Sequence, residues 1–256
     1  MKLLNIGCGA SFHADWVNLD AAPVSPAVRA HDLAEPLPFA DGHFAAVYAS
    51  HVLEHFDPAG GLRLLRECLR VLEPGGVARI VVPDLEGIAR AYLQALEGAA
   101  AGNREAQVRY DWMMLELYDQ TVRTTSGGRM AAVLAQPLNE AQRHFIAGRV
   151  GEQAMGGSAG RESVLRRIAK EGAALLFGAK RAAALREGLF RARGEVHRWM
   201  YDRFSLERAL RQAGFDDVRR RAADESAIAG FGRYGLDTVD GAARKPDSLY
   251  MEGRKP

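Results

Sequence analysis

The 256-residue chain reads as a doubly wound α/β protein, with a mostly parallel seven-stranded sheet and a mostly helical insertion. Three observations predict this. Short apolar runs that end in Gly or Asp alternate with helical patterns, the signature of strands joined by crossovers. One run, Val77 to Val82, is apolar almost throughout, as a strand covered on both faces must be. A strand also leads directly into Gly7-Cys8-Gly9, and sheets of this class place ligands beyond the carboxyl ends of their strands.

The elements follow in order. Strands are expected at Leu3–Ile6, Trp16–Asp20, Val28–Leu33 and Phe44–Ala49. A helix is expected from Pro58 to Leu72, because Asp57 can cap it, Pro58 suits its first turn, and Leu62, Leu65, Leu69 and Leu72 repeat at helical spacing. Pro74-Gly75-Gly76 stops it, and Cys68 falls on its apolar face as a core residue. Residues 87–198 read as mostly helical, broken by glycine pairs at 127–128 and 156–157. Ser205 is then expected to cap a helix carrying Leu206 and Leu210 and ending at Gly214. Strands at Val218–Ala223 and Ser248–Glu252 complete the sheet. The expected organisation is a ligand-binding part over 1–99, a helical insertion or lid over 100–200, and a closing part over 201–256.

Composition narrows the classes. With 48% hydrophobic and 26% charged residues the chain is an ordinary soluble globular protein, and a net charge of +2 makes no case for nucleic acid. Ten Lys/Arg stand against four Glu between Arg161 and Arg198, but no aromatic ladder interleaves them as a single-strand binder would require. That stretch is read as a solvated helical face, with a surface for phosphate-bearing substrates or a membrane interface as the sharper reading. Two cysteines, no apolar run of membrane-spanning length and a start (MKLLNIGCG) too short for a signal-peptide core point to a cytoplasmic location.

Several residues can carry chemistry. Glycines at 7 and 9 let the backbone approach a ligand, and Asp20 ends the next strand where it can accept from ribose hydroxyls. A dinucleotide site would add a third glycine and an acid about 20 residues on. Here Ala10, Ser11 and Phe12 follow Gly9, and Asp20 comes thirteen positions after Gly7, which argues against NAD or FAD. Only six residues separate Gly9 from Trp16, too few for a crossover helix; a compact loop or single turn is expected, with Ser11, Phe12 or His13 closing over the ligand. In SHVLEHF, His51, Glu54 and His55 are read as a helix start with a polar face toward the pocket, and no metal is assigned. His51 is the leading general base, since it follows the fourth strand and titrates near neutrality. Asp84 is a second base or acceptor-binding group, or the cap of the next helix. Tyr118, Asp119 and Arg123, in YDWMMLELYDQTVR, are expected to shape an acceptor pocket, with His144 and His197 in reach of the cleft.

LNIGCG, WVNLD, HDL, PLPFADGHFAAVYASHVLEHF and LRECLRVLEPGGVARIVVPD resemble, in order and spacing, the motifs of class I S-adenosylmethionine-dependent methyltransferases. The resemblance is to a bacterial subgroup with a shortened first helix, and it resumes at HRWMYDRFSLERALRQAGFDDV. It implies a Rossmann-like methyltransferase fold in which Gly7, Cys8 and Gly9 line the methionine portion of S-adenosyl-L-methionine and Asp20 binds its ribose. It further implies that Asp32 and the backbone of Leu33 meet the adenine, and that Ser50 and His51 lie beside the sulfonium. The expected reaction is methyl transfer to an oxygen or nitrogen of a small-molecule or carrier-linked acceptor. A sugar hydroxyl leads, because this subgroup is associated with glycan and secondary-metabolite assembly. A homo-oligomer is compatible with the sequence. A non-catalytic cofactor-binding scaffold and a nicotinamide-dependent oxidoreductase are the rival readings.

Overall fold

The computed structural model describes residues 2–155, 178–192 and 194–256. They fall into two compact units: Met1–Arg90 with Gly148–Gly151 and Arg198–Pro256, and Ala91–Ala147 with Glu152–His197. The first unit is built on a seven-stranded sheet: β1 (Leu3–Ile6), β2 (Val17–Asp20), β3 (Val28–Ala30), β4 (Phe44–Ser50), β5 (Leu72–Pro83), β6 (Asp216–Arg221) and β7 (Ser248–Arg254). Their order is β3-β2-β1-β4-β5-β7-β6. The first five are parallel, and β7 enters antiparallel between β5 and β6. The order reverses between β1 and β4, which puts the ligand crevice at the ends of these two strands.

The sequence misplaced some boundaries, each for a local reason. β3 stops at Ala30 because Asp32 turns the chain: its carboxylate accepts from Ala34 N at 2.9 Å and its carbonyl from Glu35 N at 3.0 Å. Helix α1 (Pro58–Val71) is capped by Asp57 as expected, but its buried stripe is Leu64, Leu65, Cys68 and Val71, with Leu62 and Leu69 at the margins and Leu72 already in β5. α2 (Leu85–Ala100) follows β5. The second unit contributes α3 (Arg104–Val122), α4 (Gly128–Leu134), α5 (Glu140–Val150, which ends in the first unit), α6 (Glu152–Met155) and α7 (Ala179–Ala192). The glycine pair 127–128, at φ of +73° and +55°, breaks α3 from α4 as predicted, whereas the pair 156–157 and most of the basic stretch lie outside the described residues. α8 (Arg203–Ala213) is capped by Asp202, not Ser205: the Asp202 carboxylate accepts from Phe204 N and Ser205 N, and Ser205 Oγ accepts in return from Asp202 N at 2.9 Å. Gly214, at φ +108°, ends the helix. No helix among the described residues is long and apolar enough to cross a membrane.

Strand alternation sends Leu4, Ile6, Val47, Ala49, Ala78, Ile80 and Val82 to a face packed by α1 and α8. Leu3, Ala46, Tyr48, Val77 and Val81 face the other way, against Trp16 and the segment 222–247, which holds one 3-10 turn (Phe231–Tyr234) and no α-helix, through Ile228, Phe231, Tyr234 and Leu236. Arg79, fully buried on this second face, holds the segment down. It donates to Asp237 at 2.6 Å, to Glu252 at 3.0 Å and to the carbonyls of Ala222, Ala223 and Glu225, and its guanidinium lies between the Phe231 and Tyr250 rings.

Candidate active site

Beyond the ends of β1 and β4 lies a cavity of about 230 Å³, lined entirely by the first unit. One wall is the loop Gly7 to Ser11; another is Ser50 and His51; the third is Leu236, Asp237, Arg244 and Lys245. Thus Gly7, Cys8, Gly9, Ser50 and His51 of the predicted site come together, while Asp20, Asp32, Leu33 and Asp84 stand outside this lining.

The loop after β1 holds no helix, as its length required. Two buried asparagines shape it. Asn5 Nδ2 donates to Ser11 O at 3.1 Å and to Asn18 Oδ1 at 3.2 Å, and Asn18 Nδ2 donates to the carbonyls of His13 and Trp16. Side-chain amides thereby satisfy backbone groups that a crossover helix would have satisfied itself. The loop's own amides are also engaged: Cys8 N donates to Leu19 O at 3.1 Å, Gly9 N to Asp20 Oδ2 at 2.7 Å and Ser11 N to Cys8 O at 2.9 Å. The turn therefore offers a ligand room rather than donors at these positions. Both glycines have positive φ, but for Gly7 the packing reason is that a Cβ would overlap Val52, whereas beside Gly9 there is open space. Of the closing residues, Ser11 reaches the cavity and His13 packs edge-on against Tyr234.

Asp20 is a structural member of this turn as well as an acceptor, because its second oxygen receives Ala22 N at 2.8 Å. Cys8 lines the cavity as a neutral thiol, since burial and the nearby Asp20 carboxylate push it up to about 11. Cys68 is a fully buried thiol, pushed up to about 12 by desolvation, in keeping with a core role.

His51 sits at φ +57°, a left-handed conformation that histidine tolerates better than most residues, and its amide donates to Val81 O at 2.9 Å. Its Nδ1 lies 3.3 Å from Glu54 Oε1 and its Nε2 is 2.9 Å from Ser248 Oγ. SHVLEHF forms a 3-10 turn, Leu53–His55, rather than the start of a full helix; Glu54 is completely buried there and its carbonyl accepts from Arg198 N and Trp199 N. Burial pushes the Glu54 carboxyl up to about 8.

Lys245 lines the opposite wall. Desolvation pulls its ammonium below the usual lysine range, against the opposing pull of the Glu54, Asp247 and Asp237 carboxylates. Its backbone is fixed, because its carbonyl accepts from Ser248 N and from the Tyr250 hydroxyl at 3.0 Å. Asp237 is locked between Arg79 and the Tyr48 hydroxyl. Sequence reasoning missed Asn5, Asn18, Tyr48, Arg79, Asp237, Lys245 and Ser248. A polar residue in the middle of each of the strands LLNI, AAVYA and VARIVV was the available signal for three of them.

The remaining sequence candidates have clear local roles. Asp84 opens α2: its carbonyl accepts from Ile88 N at 2.9 Å, its amide donates to Asp247 O, and its carboxylate lies 3.6 Å from Arg220. Within the second unit, buried Asp119 accepts from Arg129 N at 2.7 Å and from Met130 N, so it caps α4. Arg123 donates to Gln120 at 2.8 Å and pairs with Glu195 at 3.3 Å; Tyr118 and His144 are exposed.

The residues around the crevice fit S-adenosylmethionine: open space beside Gly9, a carboxylate at Asp20, a cation at Lys245 and a histidine at the end of β4. Residues 4–80 match a family model described as a methyltransferase domain. An uncharacterized methyltransferase of Synechocystis sp. is 34% identical over 97 aligned positions, which take in 31% of this chain and 46% of the relative. The chain thus spans about half the length of that curated relative. Solved structures that resemble it include a SAM-dependent methyltransferase from Archaeoglobus fulgidus, 13% identical with a TM-score of 0.42 over 99% of this chain and 86% of that one. Another is a SAM-dependent methyltransferase, possible histamine N-methyltransferase, from Thermotoga maritima, 12% identical with a TM-score of 0.39 over 100% and 82% of the two chains. Over residues 4–80 the chain is thus similar to the methyltransferase domain family, in keeping with the class I S-adenosylmethionine-dependent type.

Proposed function

We propose that the protein transfers a methyl group from S-adenosylmethionine to an oxygen or nitrogen of a small or carrier-linked acceptor, with a sugar hydroxyl as the leading class. The observation that carries this reading is the cavity at the β1/β4 reversal, where the Gly7–Ser11 loop faces His51. When bound, the cofactor supplies a methyl carbon activated by its sulfonium, so that an acceptor X–H becomes X–CH3 with release of S-adenosylhomocysteine and a proton. The protein must then supply alignment, exclusion of water and a group to accept that proton.

Asp20 would meet the ribose with the lone pairs left by Gly9 N and Ala22 N. Asp32 and the Leu33 backbone would meet the adenine, while Gly7, Cys8, Gly9 and Ser50, which line the cavity, would meet the methionine end. His51 takes the proton. Because its Nε2 is shared with Ser248 Oγ and its Nδ1 faces Glu54, an acceptor hydroxyl must replace Ser248 at Nε2 to be deprotonated. Asp84 is the second group for acceptor contact, and Tyr118, Asp119, Arg123 and His144 are further acceptor-contact candidates.

The test is a thermal-shift panel followed by mass spectrometry of reactions with pooled sugar, amine and carrier-linked acceptors. S-adenosylhomocysteine should raise the melting temperature, NAD(P)H should not, and S-adenosylhomocysteine should accumulate only when an acceptor is present. Stabilisation by NAD(P)H alone would establish the oxidoreductase reading instead. Tight cofactor binding with no turnover on any pool would establish the scaffold reading.

A further inference from the structure

A strand-to-loop turn that receives an anionic ligand usually draws its positive charge from the N-terminus of the helix that follows. Here no helix follows: residues 10–15 are loop, and the amides of Cys8, Gly9 and Ser11 already have acceptors inside the chain. The countercharge must come from elsewhere on the cavity wall. Besides His51, the cationic side chains lining the cavity are Arg244 and Lys245. Arg244 commits its Nε to Gly235 O at 2.8 Å. Among the described residues, the Lys245 ammonium has no hydrogen-bonded acceptor, although its backbone is clamped by Ser248 and Tyr250. A half-buried cation on a fixed backbone, with the Glu54, Asp237 and Asp247 carboxylates near it but none hydrogen-bonded to it, faces a cavity whose loop wall has three of its amides already engaged, and is placed to receive a ligand anion.

We propose that Lys245 is a carboxylate-binding residue of this cavity and holds the amino-acid carboxylate of S-adenosylmethionine in place of a helix N-terminus. The proposal rests on the cofactor reading above. It gives the segment 222–247 a second role, because besides covering the sheet the segment returns a charge that the shortened first connection removed. The Arg79–Asp237–Tyr48 chain of bonds fixes the beginning of the short hairpin, Thr238–Ala243, that ends two residues before Lys245, so the cation is placed by groups buried in the sheet. An acceptor carboxylate is the other source of the same chemistry, and the measurement below separates the two.

The experiment is calorimetric titration of the wild-type protein, Lys245→Met and Lys245→Arg with S-adenosylhomocysteine and, separately, with 5′-methylthioadenosine, which lacks the amino-acid end. Lys245→Met should weaken S-adenosylhomocysteine binding about tenfold or more, the scale of one charge-assisted hydrogen bond, and leave methylthioadenosine unchanged. Lys245→Arg should restore most of the loss. If Lys245→Met binds S-adenosylhomocysteine as the wild type does, the proposal is overturned while the cofactor reading stands, and the carboxylate in question is an acceptor's. Equal loss of both ligands would also overturn it, since that marks a structural role. Failure of the wild type to bind either ligand removes the cofactor reading itself.

Discussion

The two faces of the sheet in the first unit are covered by different kinds of structure, and their residues differ accordingly. The face under α1 and α8 is apolar: Leu4, Ile6, Val47, Ala49, Ala78, Ile80 and Val82 meet Leu64, Leu65, Leu206 and Leu210. The face under the segment 222–247 contains Asn5, Tyr48 and Arg79 at the centres of its three middle strands, all buried. Helices satisfy their own backbone groups, so a sheet beneath them can be hydrocarbon alone. A cover without an α-helix brings loose carbonyls and amides, and the sheet beneath it must supply side chains to receive them. Asn5 serves the loop after β1, and Arg79 serves the carbonyls of residues 222, 223 and 225. The cavity opens beside this polar face, so ligand binding depends on it.

Arg79→Leu gives the largest expected effect. Removing one partner of a buried ion pair costs about 3–5 kcal/mol and frees the 222–247 segment, so proteolysis should cut there and S-adenosylhomocysteine binding should vanish. Leu65→Ala on the helical face should cost roughly 2–5 kcal/mol by cavity formation yet leave the segment protected and the ligand bound. If both variants were cleaved alike in native conditions, the distinction between the faces would fail. Next, His51→Asn keeps a residue that tolerates positive φ and so should melt near the wild type, while turnover falls about 10²–10⁴-fold from loss of the base. Wild-type turnover in that variant would remove His51 from catalysis.

A smaller effect follows from Glu54. Its folded-state value of about 8 lies above the ordinary 4.5, so the folded protein binds this proton more tightly than the unfolded chain. That stabilisation is complete below about 4.5 and is lost as pH rises through about 8. The melting temperature should therefore decline between pH 5 and 8, and Glu54→Gln should flatten that decline; an unchanged slope would show that Glu54 is ionised throughout. The smallest effect belongs to Gly9→Ala, which should cost about 1–2 kcal/mol from its φ of +52° alone because nothing crowds the added methyl. Gly7→Ala should cost more, and Val52→Ala should recover part of the difference, as read by chemical denaturation.

Much of this was legible in the chain, and what was not has a common cause. Strand periodicity gave the seven strands, the spacing of Gly9 and Trp16 gave the missing first helix, and the order of motifs gave the resemblance to methyltransferases. The helical face was readable because Leu65 and Cys68 recur at a period that local geometry imposes. The other face was not, because Arg79 meets Asp237 across 158 residues and Tyr48 meets it across 189, and no local pattern announces a partner at that separation. Lys245 was invisible for the same reason: it lies in a stretch without periodicity, placed by bonds to distant strands. The cap of α8 was a local misreading, in which Ser205 and Asp202 were both competent and the carboxylate took the capping place.

The late arrival of β7 also sets an order of events during synthesis. The strand that carries Ser248 and fixes Lys245 inserts antiparallel between β5 and β6, and it leaves the ribosome after every other strand of the sheet. Until it pairs, Arg79 lacks Glu252, the aromatic cluster of Trp16, Tyr48 and Phe231 lies uncovered, and the cavity has only two of its three walls. Contacts this remote in sequence form slowly, so a translating chain carries an open aromatic cluster until that strand emerges. The cofactor cannot chaperone that early stage, because its pocket is finished only when the last strand of the sheet is in place.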